Sequence, residues 1–427
     1  MPKMTLEKTK QLISQKVGLT IIIILALASG LAILWYMNSI VIMENTPSPL
    51  KKPVTTGDIT ESTNPLSLRL ALIRLNVQQS LDPKITALNQ KINTVVSDKG
   101  SVVDVLVTPE YSFTSTLQNQ YPEYALDFSC DENFNNCTVS SAGGTYSETV
   151  LETVNSLTLI ASSNQFYIFL GTVIERFDTA GNPEITDPYV YFNDLVIINP
   201  QGQLSLKRKT NGDWESDCAW GSNCHYAIEQ EALSTVRSFN IINRFSESIT
   251  SFPIICGERF HQPMLDYALN LGLADLDILI GPEREGDTPY EEITEAIQNG
   301  TWTEEMFGWD WGIEDGFIQT YIGSGLLRPN AYLAVAEGGT ATAGLINLVT
   351  PPAPVTEYEQ NSNYMFGLVQ YCEDGTIEEQ CAETKPKYCQ EHQLINNCEE
   401  CGCPSGQICR PDGSCKKTTN KYKVPTN

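Results

Sequence analysis

The sequence predicts an α/β fold in which helices cover a β-sheet. Between residues 65 and 370, short apolar segments bounded by turn residues alternate with segments whose apolar residues repeat at helical spacing. The chain of 427 residues is 41% hydrophobic and 19% charged, which suits a large packed domain with attachments. We therefore expect one α/β domain over 65–370.

The first half of this domain contains three predicted strands and two predicted helices. The strands fall at 68–73, 102–107 and 166–173, and the helices at 83–100 and 146–164. Each helix has one apolar face, and a proline suits the first turn of the first helix. The proline is Pro83. The apolar faces consist of Ile85, Leu88, Ile92 and Val96 in the first helix, and Val150, Val154, Leu157 and Ala161 in the second.

The second half begins with a predicted hairpin around an Asn-Pro-Gln-Gly turn. A strand, a helix and another strand follow. These elements are predicted at 195–198 and 204–209 for the hairpin, 253–255 for the strand, 264–273 for the helix and 276–280 for the last strand.

Residues 1–43 predict a single-pass transmembrane signal anchor. Positions 17–43 carry no charge, and a helix needs about 20 apolar residues to cross a bilayer. Four lysines precede this segment, which places the N-terminus in the cytoplasm and the rest of the chain outside the cell membrane. A cleaved signal peptide with its site at 26–28 is the alternative, although the apolar segment continues past that point. The Thr- and Pro-rich residues 44–64 predict a linker.

Residues 371–415 predict a small disulfide-rich module. They contain eight cysteines and few large apolar residues, so they need covalent crosslinks in place of a hydrophobic core. The spacing Cys398-x2-Cys401-x-Cys403 also suits a zinc knuckle, but an outward-facing segment favours disulfides. Eight cysteines leave the connectivity open. Residues 416–427 predict a basic tail.

The other five cysteines predict one reactive thiol. Cys130 and Cys137 lie close together in a polar segment, as do Cys218 and Cys224, so each pair is expected to form a disulfide. Cys256 is then the one cysteine that keeps a thiol.

Composition and missing motifs narrow the function classes. The formal net charge of −25 disfavours nucleic acid as a partner, because an acidic surface repels phosphate. The three histidines form no zinc-hydrolase motif, and no Gly-x-Ser-x-Gly nucleophile motif is present.

Three residues near the ends of predicted strands could act together. Glu110 follows an apolar strand that Pro109 stops, and Lys209 ends the second strand of the hairpin. Cys256 also follows an apolar strand, and Gly257 after it allows a sharp turn that brings an N–H near the sulfur. Taken singly, the two charged residues would be assigned to the solvent-exposed surface and the cysteine to the core.

Four segments, in this order, carry a resemblance to a known family: LVTPEY at 106–111, YFNDLVIINPQGQLSLKRKT at 191–210, IICGERF at 254–260 and GLADLDILI at 272–280. Together they resemble the nitrilase, or carbon–nitrogen hydrolase, superfamily over most of the predicted domain. The resemblance implies a nitrilase-like four-layer α-β-β-α sandwich and a possible homodimer, since the family usually dimerises. It also implies a Glu–Lys–Cys triad that needs no metal or organic cofactor.

By this resemblance Glu110 is the base, Lys209 the electrophilic lysine and Cys256 the nucleophile, with the Gly257 N–H assisting. Lys207 stands where the family usually has an aromatic residue, so it competes with Lys209 for the lysine role. The family commonly has a second glutamate between lysine and cysteine. Glu215 is the candidate here, and Glu229 and Glu231 are its alternatives.

The implied activity is hydrolysis of a small-molecule amide or nitrile through a cysteine thioester. An N-acyltransferase with the same triad is one alternative. A non-catalytic surface-binding protein on the same scaffold is the other.

Overall fold

The computed structural model describes residues 67–77, 80–212, 214–218, 222–256, 258, 261–270, 276–283, 327–338, 343–347, 353–354, 358–370, 372, 381–382, 384–390 and 393–417. Within these ranges no helix is both long enough and apolar enough to cross a membrane. The predicted anchor at 1–43, the linker at 44–64 and the tail after residue 417 lie outside the described residues.

The described residues form twenty strands and six α-helices, with short 3-10 turns at Gly100–Val102 and Gln118–Gln120. The helices are α1 (Leu81–Asp98), α2 (Tyr121–Tyr124), α3 (Ser147–Asn164), α4 (Asn223–Leu233), α5 (Gln262–Asn270) and α6 (Cys398–Cys401). The strands are β1 (Ser67–Ile73), β2 (Val105–Val107), β3 (Leu126–Ser129), β4 (Thr138–Ser141), β5 (Tyr167–Asp178), β6 (Tyr189–Ile198), β7 (Leu204–Arg208), β8 (Trp214–Glu215), β9 (Phe239–Ile242), β10 (Ser248–Pro253), β11 (Leu276–Glu283), β12 (Leu327–Glu337), β13 (Ala343–Asn347), β14 (Ala353–Pro354), β15 (Tyr358–Gln360), β16 (Tyr364–Gln370), β17 (Lys387–Gln390), β18 (Gln393–Asn396), β19 (Gln407–Cys409) and β20 (Cys415–Lys417).

Ten strands form one mixed sheet, in the order β15-β16-β1-β2-β5-β3-β4, with β6 paired to β5, β7 and β8. Strands β1, β2 and β5 run parallel, and β16 returns antiparallel to β1 with Ser67 opposite Gln370. Because β1, β2 and β5 are parallel, their carboxyl ends meet at one edge, where sites form in α/β sheets.

The second sheet has six strands in the order β14-β13-β12-β11-β10-β9. Strands β10, β11 and β12 run parallel, so their carboxyl ends also share one edge. Cys256 follows the end of β10 by three residues.

Alternate residues of β1 face opposite sides of the ten-stranded sheet. Leu70 and Leu72 pack with Phe252 and Leu333 of the six-stranded sheet. Ala71 and Ile73 belong to the core formed with the outer helices α1 and α3. The order of layers is therefore helices, ten-stranded sheet and six-stranded sheet. The predicted α/β class is confirmed, and the second helical layer of the four-layer sandwich stays a prediction.

The predicted helical faces are largely correct. Ile85, Leu88 and Ile92 of α1 are buried, whereas Val96 is half-buried. All four predicted residues of α3 are buried as well. Helix α1 begins at Leu81, before the predicted start, because the extended residue Ser80 precedes it.

Some predicted bounds are wrong. The strand predicted at 102–107 begins only at Val105, because Gly100–Val102 forms a 3-10 turn. The strand predicted at 253–255 is β10, which ends at Pro253. The chain leaves the sheet there because the Ile255 N–H binds a side chain, the Glu258 carboxylate. The helix predicted at 264–273 is α5, Gln262–Asn270, which begins two residues before the predicted start; residues 271–273 lie outside the described residues.

The C-terminal module contains the hairpins β17–β18 and β19–β20 and the short helix α6. Its eight cysteines form four disulfides. Cys398, Cys401 and Cys403, whose spacing also suited a zinc knuckle, each take part in one of them. Among its described residues, the buried side chains are four cysteines and one alanine. The pairs are Cys372–Cys389, Cys381–Cys401, Cys398–Cys409 and Cys403–Cys415; the buried residues are Cys372, Ala382, Cys389, Cys398 and Cys401.

Candidate active site

Glu110 lies just beyond β2, and its side chain is fully buried. Its Oε1 accepts hydrogen bonds from Asn193 Nδ2 at 2.8 Å and from Lys209 Nζ at 2.6 Å. The next residue, Tyr111, has a φ of 60°, and its N–H donates to Thr172 Oγ1. The strained turn after β2 is thus held by β5, and the carboxylate points toward β6 and β7.

A buried lysine, Lys84 of α1, also holds the segment that follows Glu110. Its Nζ donates to the carbonyl oxygen of Thr114 at 2.5 Å and to that of Val77 at 3.3 Å. Burial lowers the pKa of Lys84 to about 8.

Lys209 directly follows β7, and its backbone N–H donates to the Asn193 carbonyl at 3.0 Å. Lys207 projects from the same face of the chain but binds a different carboxylate. Its Nζ lies 2.5 Å from Glu258 Oε2, and both side chains are fully buried. Burial lowers the pKa of Lys207, although Glu258 acts in the opposite direction. The structure therefore brings Lys209, rather than Lys207, to Glu110.

Glu258 connects the lysine segment with the cysteine segment. Its Oε1 accepts from the Thr210 backbone N–H at 2.7 Å and lies 3.0 Å from Thr210 Oγ1. Its Oε2 accepts from the Ile255 N–H at 2.7 Å as well as from Lys207. Because Thr210 follows Lys209 and Ile255 precedes Cys256, one carboxylate binds next to both predicted catalytic residues.

Cys256 is half-buried, in a turn with a positive φ of 49°. The turn is closed by a hydrogen bond from the Glu258 N–H to the Ile255 carbonyl at 3.1 Å. Disulfides Cys130–Cys137 and Cys218–Cys224 form as predicted, so Cys256 is the chain's one cysteine outside six disulfides. Gly257 lies outside the described residues, so its role as an N–H donor stays a prediction.

The three candidates for the second glutamate lie in different surroundings. Glu215 lies on β8 opposite Tyr191, and its pKa is raised, mainly by burial. Glu231 lies on α4, with its carboxylate 3.8 Å from Arg208 Nη1.

Glu229, also on α4, connects to the site through His261. Glu229 Oε1 lies 3.1 Å from His261 Nε2, and His261 Nδ1 lies 3.1 Å from Thr210 Oγ1. This network reaches the residue next to Lys209.

The opposite face of the lysine segment carries a second buried ionic cluster. Arg208 makes two hydrogen bonds to the Glu175 carboxylate, at 2.6 and 2.9 Å, and its guanidinium also lies over three phenylalanine rings. Asp194 is fully buried beside this pair, and burial together with Glu175 raises its pKa well above the ordinary range. Alternation along β7 thus separates Arg208 from the two lysines.

Sequence reasoning missed Asn193, Thr210, Glu258 and His261 as contacts of the site. Asn193 and Thr210 lie in the 191–210 segment, and Glu258 and His261 follow Cys256 closely. Polar residues flanking the predicted triad were the available signal.

No family model matches this sequence, and no curated protein matches it. In structure, the chain is similar to Nit3 of Saccharomyces cerevisiae, a member of branch 10 of the nitrilase superfamily, at 12% identity and a TM-score of 0.40, covering 72% of this chain and 92% of that one. It is also similar to an amidase from Nesterenkonia sp., at 13% identity and a TM-score of 0.38, covering 73% and 92%. A third similar structure is a carbon–nitrogen hydrolase from Helicobacter pylori G27, at 10% identity and a TM-score of 0.36, covering 71% and 88%. Likeness at this level carries no information about the activity of this chain.

Proposed function

We propose that this chain hydrolyses non-peptide carbon–nitrogen bonds of small amides or nitriles through a thioester on Cys256. The observation that carries the proposal is the buried contact between Lys209 Nζ and Glu110 Oε1 at 2.6 Å. Burying a carboxylate and an ammonium is costly, and such groups cluster where chemistry needs them. The lysine segment is joined through Glu258 to the turn of Cys256, the one cysteine outside the disulfides.

For an amide, the reaction uses these three side chains in two steps. Glu110 takes the proton of the Cys256 thiol, and the thiolate forms a bond to the amide carbon. The Lys209 ammonium, with the predicted Gly257 N–H, stabilises the negative oxygen of the tetrahedral intermediate. The C–N bond then breaks, and Glu110 gives the proton to the departing amine or ammonia.

Hydrolysis of the thioester restores the enzyme. Glu110 takes a proton from water, and the resulting hydroxide attacks the thioester carbon. The C–S bond breaks, the carboxylic acid leaves, and the proton returns to the Cys256 sulfur.

We also infer that the catalytic domain lies outside the cytoplasm, attached to the membrane by the N-terminal segment. Six disulfides support an oxidising compartment, because cytoplasmic thiols are kept reduced. The uncharged segment at 17–43 supports attachment.

The test is ammonia release from a panel of simple amides, nitriles and ureido compounds, with mass spectrometry of the intact protein during turnover. We expect an acyl adduct on Cys256, and we expect Cys256→Ala and Glu110→Gln to abolish turnover while the protein stays folded. Turnover that survives Cys256→Ala would refute the thioester mechanism. An added amine that captures the acyl group faster than water does would identify the chain as an acyltransferase.

A further inference from the structure

Glu258 makes four contacts with four different atoms, and it is not one of the three triad residues. Two of these contacts are hydrogen bonds that the carboxylate accepts from the backbone N–H groups of Thr210 and Ile255, at 2.7 Å each. The other two are Thr210 Oγ1 at 3.0 Å and Lys207 Nζ at 2.5 Å. Each carboxylate oxygen therefore binds one backbone N–H from a different segment.

The two backbone contacts fix one segment against the other. Thr210 is covalently bonded to Lys209, and Ile255 to Cys256, so the carboxylate sets the separation of the two backbones that carry the proposed oxyanion donor and nucleophile. A misplacement of about 1 Å can cost roughly 10²-fold in rate. A glutamate that holds this separation acts on catalysis without contacting the substrate.

Lys207 makes this arrangement stable. A fully buried carboxylate needs a compensating charge, and the Lys207 ammonium is fully buried against it. Lys207 stands where the resembled family usually has an aromatic residue, so the pair is a departure of this chain from that pattern.

We propose that Glu258 is a positioning residue that holds the Lys209 segment against the Cys256 turn, with Lys207 as its charge partner. The inference rests on the proposed function for its kinetic effect, and its geometric content can be tested by the reactivity of Cys256 alone. Replacing Glu258 with glutamine leaves one acceptor oxygen and turns an amide N–H₂ toward a backbone donor. Replacing it with aspartate keeps both acceptors on a shorter side chain.

The test compares Glu258→Gln, Glu258→Asp, Lys207→Met and the double variant Lys207→Met/Glu258→Gln in the full chain. The readouts are kcat, KM and the rate constant for alkylation of Cys256 by iodoacetamide, each normalised to folded protein by circular dichroism. The matched control is Glu175→Gln, which removes a buried carboxylate from Arg208 on the opposite face.

We expect Glu258→Gln to lower kcat by about 10²-fold with KM nearly unchanged, because the lost alignment matters in the transition state. Alkylation of Cys256 should slow as well, because an ammonium near a thiol favours the thiolate, and the Lys209 segment would no longer be held against the Cys256 turn. Glu258→Asp should recover part of both rates. The double variant should be no slower than Glu258→Gln, because the two residues act as a unit. Glu175→Gln should keep wild-type kcat and alkylation rate.

An unchanged kcat and an unchanged alkylation rate in folded Glu258→Gln would overturn the proposal. It would also be overturned if the fold-losses in kcat of Glu258→Gln and Lys207→Met multiplied in the double variant. If Glu258→Gln does not fold, Glu258→Asp and Lys207→Met decide the matter with the same readouts. If the wild-type chain hydrolyses nothing, the proposed function fails, and the alkylation rates still test the positioning role.

Discussion

Lys207 and Lys209 project from the same face of one chain segment, and each ammonium binds a different buried glutamate. Lys209 Nζ lies 2.6 Å from Glu110, and Lys207 Nζ lies 2.5 Å from Glu258. Strand periodicity could not distinguish the two lysines, because residues two apart share a face. Their partners assign them different roles: Lys209 to the proposed chemistry and Lys207 to the support of the site.

Lys209→Ala should lower kcat/KM by roughly 10²–10³-fold and leave the protein folded, because one donor to the developing oxyanion is lost. The measurement is amide hydrolysis on protein checked by circular dichroism. Lys91→Ala, which changes a lysine of the outer helix α1, is the control and should be fully active. An active Lys209→Ala together with an inactive Lys207→Ala would reverse the assignment of the two lysines.

Iodoacetamide should label only Cys256 in native, non-reduced protein, and activity should fall in proportion to labelling. The other twelve cysteines are held in disulfides. Mass spectrometry of alkylated peptides before and after reduction gives the count. Label on another cysteine with full loss of activity would contradict the nucleophile assignment.

Mild reduction should unfold the C-terminal module before the α/β domain. Among the described residues of 372–417, the buried side chains are cysteines and Ala382, so the disulfides take the place of an apolar core. Hydrogen exchange should show loss of protection in β17–β20 while β1, β5 and β6 stay protected. Equal loss in both regions would show that the domain depends on the disulfides as much as the module does.

Lys84 should make the free energy of unfolding rise with pH between about 8 and 10.5. Burial lowers its pKa from 10.5 to about 8, so in this window the folded protein has released a proton that the unfolded chain retains. The gain is at most about 3 kcal/mol. Urea unfolding at pH 7.5 and pH 10 should show this rise in the wild type, and Lys84→Met should lack it. Equal pH dependence in the two proteins would rule out the effect.

Protease added to intact cells should digest the chain beyond about Glu44. The four lysines before the uncharged segment at 17–43 predict this orientation. Immunoblotting for the catalytic domain, with permeabilised cells as the digestion control, gives the result. A domain that stays protected until permeabilisation would contradict the predicted orientation.

Elements with regular apolar periodicity could be predicted from the sequence. Helix α3 and strand β7 lie close to their predicted positions, because the apolar residues of α3 repeat at helical spacing and those of β7 alternate. Strand β6 ends at Ile198 as predicted but begins at Tyr189, six residues before the predicted start, and most of its residues are buried without alternation. Helix α4 was not predicted, because its buried face includes Cys224, His225 and small alanines, which give no clear apolar pattern.

The pairing of Glu110 with Lys209 matches the expectation from the motif order, but the contacts around them could not be predicted. Ile254 and Ile255 look like the end of a strand, yet the Ile255 N–H binds a carboxylate three residues later. A local contact made in a turn leaves no periodic signal. For the same reason the sequence could not identify Glu258 as the residue between the two segments.

The pairing of β1 with β16 has a consequence for biosynthesis. Ser67 lies opposite Gln370, so the first strand of the domain finds its antiparallel neighbour only at the far end of the same domain. Pairings between residues so distant in sequence form slowly, because a long loop must close first. While the ribosome is still making the chain, that edge of β1 has no neighbour and could pair with another nascent chain. We expect the domain to complete its sheet only after Gln370 has emerged, which makes chaperone protection of β1 most important early in synthesis.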